Sequence, residues 1–259
     1  MIEPDLGQVL AFCAEDPIER VFLEDVARRG LGRFRAVAQR GGSLRALCHV
    51  GANVVPSGTG CEDFADAVRG ASARTRMVIG DERAVGDLWT AVADDLPEPR
   101  DDRPGQPVYV IREPPEPGET GLRAARPDDF DLLLPACAAA HREELGIDPL
   151  ARDGEAFRWR TRAQIDDRRS WLWEQEGTIL FKAEASAWTP EAVQIQQVWV
   201  DPEVRNRGYA QRGMRDLIRL LLDRAPAVCL FVRPENAPAI RLYDRVGMRR
   251  RGSYRSLIF

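Results

Sequence analysis

The chain has 259 residues, a length that favours two domains over one. Its 37 basic and 41 acidic side chains leave a net charge of −4, which argues against a protein that binds nucleic acid through its overall charge. No apolar run approaches the roughly 18 residues of a membrane span, and the N-terminus is acidic with no basic leader, so we expect a soluble, cytoplasmic protein without membrane contact.

The cysteines and histidines show neither a disulfide framework nor a metal site. The five cysteines are odd in number and lie scattered in apolar sequence, which is typical of reduced, buried thiols. His49 and His141 are the two histidines, and neither has a spacing typical of metal ligands. Cys48 and His49 are adjacent in a predicted strand, so their side chains point to opposite faces. We therefore expect no bound metal ion.

The first 113 residues alternate helical and strand-like patterns. The predicted order is two helices, three strands, a helix, a strand, a helix and a strand. The approximate bounds are 5–14, 17–28, 33–38, 43–50, 52–55, 62–68, 76–79, 83–94 and 108–111. A turn over 56–60, Pro-Ser-Gly-Thr-Gly, follows the third strand of this series.

A proline-rich segment follows these elements. Seven prolines lie between Leu96 and Thr120. Proline has no backbone N–H and interrupts helices and central strands, so a domain boundary is predicted near Gly118. We expect an N-terminal accessory domain over residues 1–118 and a second domain over residues 119–259.

The second part of the chain predicts a mixed, twisted sheet flanked by helices, an α/β fold. A strand and two helices come first, at 122–125, 127–144 and 155–166. A hairpin of strands 171–175 and 178–187 turns at Glu176-Gly177. The remaining elements are strand 193–200, helix 209–224, strand 228–232, a helix capped by Asn236 and stopped by Gly247, and a closing strand over 253–259.

The strand over 193–200 changes its alternation of apolar residues. Val193 and Ile195 occupy odd positions, whereas Val198 and Val200 occupy even ones. Because side chains in a strand alternate with a period of two, this switch predicts an inserted residue, a β-bulge, although Trp199 keeps the earlier phase. A bulge here would separate the strand from its parallel neighbour and leave backbone N–H groups unpaired.

The bulged strand leads into a helix through the stretch VWVDPEVRNRGYA, from Val198 to Ala210. The free N–H groups and the positive dipole end of a helix N-terminus form an anion site. Gly208 allows the backbone to approach a phosphate closely, and Ala210 keeps the first helical turn slim. The pattern indicates a ligand that carries a pyrophosphate.

About the last 140 residues resemble the GNAT superfamily, the CoA-dependent N-acyltransferases. The motifs VWVDP, RNRGYA, VCLFV and NAPAIRLYDRVGM occur in the family's order, with SYRSLIF as its closing strand. Asn236 and Tyr243 stand seven residues apart before Gly247-Met248, as in that pattern. The first half of the chain has the element order of a GNAT unit too, so it is either a degenerate second unit or an unrelated α/β accessory domain.

The resemblance implies a GNAT-type fold with a bulged, splayed central strand, acetyl-CoA as co-substrate and a primary amine as acceptor. The amine would belong to a small molecule, a peptide or a protein N-terminus. The resemblance implies a backbone oxyanion site near Val198 to Val200 and Tyr243 as the general acid that protonates the leaving thiolate. The residues predicted to bind acetyl-CoA are Val198, Trp199, Val200, Arg205, Asn206, Arg207, Gly208, Tyr209, Ala210, Gln211 and Asn236.

The predicted site lacks an obvious general base. Many relatives place a glutamate on the bulged strand, and ribosomal-protein acetyltransferases place one five residues before the asparagine. This chain has Gln196-Gln197 and Phe231 at those positions. Two alternatives would make a general base at these positions unnecessary. The acceptor amine would have a low pKa, or Glu184 or Glu191 would remove its proton through a water molecule.

An acidic group lies at the end of the helix over 127–144 and in the loop after it: Glu143, Glu144 and Asp148. These side chains would attract a cationic amine, or they form an ordinary solvated helix end.

The function predicted from the sequence is an N-acetyltransferase of bacterial style, acting as a monomer or homodimer and without nucleic acid as partner. The alternative is a non-catalytic, CoA-binding regulatory module.

Overall fold

The computed structural model describes residues 1–259. The eight α-helices are α1 (Leu6–Glu15), α2 (Val21–Arg28), α3 (Ala65–Arg69), α4 (Glu82–Val92), α5 (Phe130–Leu145), α6 (Pro149–Asp166), α7 (Tyr209–Leu222) and α8 (Ala237–Arg245). The eleven strands are β1 (Phe34–Ala38), β2 (Leu44–His49), β3 (Asn53–Gly58), β4 (Met77–Asp81), β5 (Asp101–Ile111), β6 (Arg123–Ala124), β7 (Ser170–Gln175), β8 (Thr178–Trp188), β9 (Val193–Trp199), β10 (Val228–Phe231) and β11 (Arg249–Ile258). None of the helices combines the length and the apolar character that a membrane span requires.

Polar side chains fix where several of the helices begin. Asp5 and Gln8 form a reciprocal capping box at the start of α1, with N···O distances of 2.8 and 3.1 Å. Asp81 accepts hydrogen bonds from two backbone N–H groups at the start of α4. Asn236 caps α8 as predicted, because its side-chain oxygen accepts from the N–H of Ala239 at 3.2 Å.

The eleven strands form a single mixed sheet in the order β1-β2-β3-β4-β11-β5-β10-β9-β8-β7-β6. The pairs β3/β4 and β9/β10 are parallel, and all other pairs are antiparallel. The predicted fold class, a mixed α/β sheet flanked by helices, is confirmed.

The two halves of the chain repeat one succession of elements. Two helices, three strands, a helical connection, a strand, a helix and a final strand occur in each half. The second half adds β6 in front, and an isolated bridge between Ile2 and Ala36 stands in the corresponding place of the first half. The final strand of each half pairs with a strand of the other half: β11 pairs with β4, and β5 pairs with β10. We call this arrangement the exchange of the final strands. The predicted boundary near Gly118 lies between β5 and β6 and stays a prediction.

The parallel pair β9/β10 separates after its first two residues. Val193 pairs with Val228 and Gln194 with Cys229, and no pairing follows. Opposite β8, three steps along β9 match two steps along β8, and Gln197 has a φ of +53°. This is the predicted bulge, which bends β9 away from β10. We call the resulting gap, between 195–200 and 230–232, the β9–β10 cleft.

Apolar side chains cover both faces of the sheet around this cleft. Trp199 packs with α5 and α6 on one face. Val200, which is adjacent in sequence, packs with α7 and α8 on the other face. A buried ion pair also joins the halves, between Arg169 and Asp25, at 2.9 and 2.7 Å. The cleft is therefore a gap between two well-packed faces.

Several elements differ from their predicted bounds: β11 begins at Arg249 rather than at 253, and α2 begins at Val21 rather than at 17. Helix α6 begins at Pro149 rather than near 155, because Asp148 caps it and proline suits a first helical turn, and it kinks at Asp153. Strand β5 runs through two prolines, Pro104 and Pro107, although prolines were expected to interrupt it. Its pairing with β11 shifts register there, and such irregularities accommodate residues without an N–H.

Candidate active site

The loop in front of α7 presents a row of free backbone donors. The N–H groups of residues 206–211 have no backbone or side-chain acceptor, and the first bonded one is that of Arg212, to the Gly208 carbonyl at 3.1 Å. Asn206 and Gly208, within this loop, have left-handed φ values of +62° and +84°. Unpaired donors at the positive end of a helix dipole suit an anion such as phosphate or pyrophosphate.

The two arginines predicted to contact the phosphates differ in their surroundings. Arg205 donates to both carboxylate oxygens of Glu143, at 2.8 and 2.9 Å, and to the Val200 carbonyl at 3.0 Å. It therefore joins the loop in front of α7 to the end of α5. Arg207 is exposed and forms no ion pair. Its guanidinium is free to meet an anion at the loop.

The bulge and the cleft leave backbone donors near Val200. Its N–H, directly after β9, has no acceptor within the chain. The N–H is therefore available to an oxyanion. The side chain of Trp199 points to the opposite face, where its Nε1 donates to Glu143 at 3.1 Å. Any contact of Trp199 with a ligand in the cleft would involve its backbone.

Tyr243 lies in the apolar cluster that also contains Val200 and Val232. Its side chain is 6 % exposed and forms no hydrogen bond, and its ring centroid lies 5.8 Å from that of Tyr109. Burial, and secondarily the charge of Glu144, raise the pKa of Tyr243. The phenol is held in its protonated form, which is the form a general acid needs.

The carboxylates considered as bases lie in different places. Glu191 is in the turn before β9, six residues from the bulge at Gln197, a separation of roughly 20 Å along an extended strand. Glu184 lies beside the bulge but accepts from Lys182, the only lysine of the chain, at 2.7 Å. Burial alone would raise the pKa of Glu184, but the ammonium group of Lys182 lowers it overall. Glu184 is thus a weak base.

The acidic residues at the end of α5 have separate partners. Glu143 is held by Arg205 and Trp199. Asp148 caps α6 and pairs with Arg142 at 3.0 Å, and this hydrogen bond lowers the pKa of Asp148. Glu144 accepts a hydrogen bond at 2.6 Å from the side chain of Gln197, the bulge residue.

Strand β5 contributes two residues that sequence reasoning missed. Arg103 donates to the backbone carbonyl of Glu144 at 2.9 Å. Tyr109 lies against Tyr243. Both come from the first half of the chain and reach this site only because the final strands are exchanged. No local sequence signal would have found them.

The corresponding loop of the first half is filled by its own side chains. Gly58 and Gly60 have φ values of +95° and +76°, like the glycine of the second loop. The guanidinium of Arg45 lies directly over Gly60, donates to the Thr59 carbonyl at 3.3 Å and pairs with Asp63. The guanidinium of Arg45 thus fills the space over this loop, where an anion would have to bind.

The histidines lie apart from the cleft donors. His141 packs edge-on against Phe157, and burial lowers the pKa of His141. His49 lies in the first half against Phe22 and Phe34. No group of three or more His, Cys, Asp or Glu side chains is arranged to hold a metal ion.

The sequence matches two family models, one in each half. Residues 135–248 match the model of the acetyltransferase (GNAT) family. Residues 32–133 match a domain of unknown function, DUF4081. No curated protein matches the sequence. The resemblance of the second half to the GNAT superfamily is confirmed.

Solved structures similar to this one cover nearly the whole chain. A GNAT-family acetyltransferase from Colwellia psychrerythraea is 10 % identical, with a TM-score of 0.60 over 99 % of this chain and 97 % of that one. A GCN5-related N-acetyltransferase from Sphaerobacter thermophilus is 17 % identical, with a TM-score of 0.59 over 98 % and 93 %. A putative GNAT acetyltransferase from Novosphingobium aromaticivorans is 18 % identical, with a TM-score of 0.57 over 93 % and 96 %. At these identities the likeness establishes the fold alone.

Proposed function

We propose that this chain, in which residues 135–248 form a domain of the acetyltransferase (GNAT) family, transfers an acetyl group from acetyl-CoA to a primary amine by direct attack. One observation carries the proposal: a row of six unpaired N–H groups stands beside a gap between two parallel strands. The row of N–H groups suits a diphosphate, and the gap between the strands suits an extended arm that contains amide groups.

The co-substrate would be held mainly by the backbone. The N–H groups of residues 206–211 would bind the pyrophosphate, with Arg207 as an additional cation. Beyond Gln194 and Cys229, the facing edges of β9 and β10 have lost their partners. The pantetheine arm carries amide groups and would pair with these edges as an added strand does. Asn236, at the start of α8, borders the same side of the sheet.

The chemistry would use one donor for the oxyanion and one acid for the thiolate. The free N–H of Val200, with those of Val198 and Trp199 as further candidates, would stabilise the negative charge on the thioester oxygen. Tyr243 would protonate the departing sulfur, a step commonly worth about 10²–10⁴ in rate. The phenol carries its proton at neutral pH, as this role requires, and its raised pKa makes it a weaker acid than a free tyrosine.

Calorimetric titration with acetyl-CoA tests the phosphate cradle through Gly208→Trp. Gly177→Trp is the matched control, because both glycines have left-handed φ values and open space around their Cβ position. Only the first replacement would obstruct the cradle. We expect Gly208→Trp to weaken binding at least tenfold and Gly177→Trp to leave it unchanged. Equal affinity of both variants would refute the cradle.

A non-catalytic, CoA-binding module is the second candidate. It is favoured by Gln196 and Gln197 at the bulge and by the pairing of Glu184 with Lys182. The Tyr243→Phe variant separates the two functions. In an enzyme, this change should slow acetylation of a panel of primary amines about 100-fold or more while acetyl-CoA affinity stays the same. Absence of turnover by the unmodified protein with every amine would favour the module.

A further inference from the structure

Glu144 differs from the other carboxylates near the β9–β10 cleft. Glu143 forms an ion pair with Arg205, and Glu184 forms one with Lys182. Glu144 has no ion pair, and its one side-chain hydrogen bond comes from an uncharged amide, that of Gln197. Its negative charge is therefore available to a cation that enters from solvent.

The position of Glu144 is built from three elements. It lies in the last turn of α5, where the side chain of Gln197 on β9 holds its carboxylate at 2.6 Å. Arg103 on β5 holds its backbone carbonyl at 2.9 Å, and Asp101 in turn orients Arg103 at 2.7 Å. Gln197 has the left-handed φ of the bulge, a conformation that non-glycine residues adopt only when their surroundings require it. The bulge of β9 thus holds the carboxylate of Glu144, and β5 holds the backbone of the same residue.

Glu144 and Tyr243 belong to helices on opposite faces of the sheet, and each lies beside residues of the cleft. Helix α5 covers one face and α8 the other. Even so, Glu144 is the one charged group that acts on the titration of Tyr243. Between these two faces, β9 and β10 are unpaired beyond Gln194 and Cys229.

The charges around Glu144 come from several elements. Arg103 of β5 and Arg233, after β10, favour its ionised form, and Glu184 of β8 opposes it. Glu144 is exposed to solvent, yet enough protein surrounds the carboxylate for desolvation to raise its pKa, as expected within an open cleft. A carboxylate with a raised pKa is a better proton acceptor than an ordinary glutamate.

We propose that Glu144 binds the cationic acceptor amine and removes its proton, and that Arg103 is a positioning residue for it. The proposal rests on the proposed function. The base that is missing from β9 would be supplied by α5, and Gln197 on the bulge would hold it in place.

The reaction balances as follows for an amine that arrives as R–NH₃⁺. One proton passes to a carboxylate oxygen of Glu144, and the freed lone pair forms the C–N bond to the thioester carbonyl. As the C–S bond breaks, Tyr243 gives its proton to sulfur, and the remaining surplus proton on nitrogen passes to the phenolate. The products are the amide, the free thiol and a protonated Glu144, which releases its proton to solvent.

The pH dependence of kcat/KM for the amine tests this assignment between pH 5.5 and 9.5. The acceptors are a peptide with a free N-terminus, an N-blocked peptide with one lysine, and a polyamine. With Glu144 ionised and the amine charged, the native protein should show a plateau between the pKa of Glu144 and that of the amine. Glu144→Gln keeps an oxygen for the Gln197 hydrogen bond but requires an amine that is already neutral. Its rate should fall about 100-fold at neutral pH and rise about tenfold per pH unit.

Glu191→Gln is the matched control, because this exposed glutamate lies at the far end of β9. It should keep the native plateau. Arg103→Gln should lower kcat/KM about tenfold while the plateau remains, since the carboxylate is still present, and Arg103→Lys should restore part of the loss. Acetyl-CoA affinity, measured by calorimetry, should stay within about twofold in all four variants.

Three results would overturn the assignment. A native plateau in Glu144→Gln would show that another group takes the proton. A comparable loss of rate in Glu191→Gln would show that the effect is not specific to the cleft. Lost acetyl-CoA affinity in Glu144→Gln would place this residue in the co-substrate site. If the unmodified protein acetylates none of the three amines, the proposed function falls and this inference with it.

Discussion

Gly213 tests how tightly α7 is seated on the sheet. It is buried in the second turn of α7, against Phe181 of β8. A Cβ at this position would lie 2.3 Å from the Cγ of Phe181 and 2.6 and 2.7 Å from its two Cδ atoms. Carbon atoms in contact are normally about 3.5–4.0 Å apart. Because Phe181 is fully buried, its ring has no free space to move into.

The magnitude follows from two opposing terms. Replacing glycine by alanine inside a helix gains about 1 kcal/mol of helix propensity. Overpacking a core costs about 1–3 kcal/mol, and an overlap of this depth belongs at the upper end. Gly213→Ala should therefore lose about 2 kcal/mol. Gly86→Ala in α4 is the matched control, because its Cβ would meet nothing within 4 Å, and it should gain about 1 kcal/mol.

Urea titration and thermal melting of both variants measure the difference. For a chain of this size, Tm should fall by roughly 4–8 °C in Gly213→Ala and rise by roughly 2–4 °C in Gly86→Ala. Acetyl-CoA affinity should also fall in Gly213→Ala, since a displaced α7 carries the N–H groups of its first turn with it. Phe181→Leu should recover part of the loss in the double variant. A stability gain in Gly213→Ala equal to that of Gly86→Ala would refute the packing argument.

Two further predictions concern charged groups. Burial raises the pKa of Glu19 to about 7 from 4.5, so the folded state binds this proton more tightly, and the free energy of unfolding should fall by about 3 kcal/mol as the pH rises from about 4.5 to above 7. Urea titrations at several pH values should show a flatter dependence in Glu19→Gln, and an unchanged slope would contradict this. Arg169→Ala should cost about 3–5 kcal/mol, because it removes both hydrogen bonds to the buried carboxylate of Asp25 and leaves only Arg29, at 3.9 Å, as a cation beside it. Arg35→Ala removes a largely exposed pair with Glu3, at 3.2 Å, and should cost less than about 1 kcal/mol, so similar losses would count against the burial argument.

The features that the sequence predicted well depend on a few neighbouring residues. The change of alternation between Ile195 and Val198 indicated the bulge, since an inserted residue shifts every later side chain to the other face. Asn236 and Gly247 marked the two ends of α8 through a side-chain cap and a left-handed φ of +91°. The start of α6 was signalled by Asp148-Pro149 and was overlooked.

The partners of charged side chains were not predictable in the same way. Arg205 was predicted to contact a phosphate, and the fold places it against Glu143, 62 positions earlier. Glu144 and Gln197 are 53 positions apart and meet because a bulge on one strand faces the end of one helix. Many carboxylates lie equally near in sequence, so spacing alone does not select the partner.

The order of helices and strands, the bulge and the glycine-containing loop in front of α7 were determined by the sequence on its own, because each arises from periodicity, capping or glycine within a short segment. The exchange of β5 and β11 was decided only by the tertiary structure, since several strands carry similar apolar patterns and backbone pairing does not distinguish them. That exchange brings Arg103 and Tyr109 of the first half to the cleft of the second.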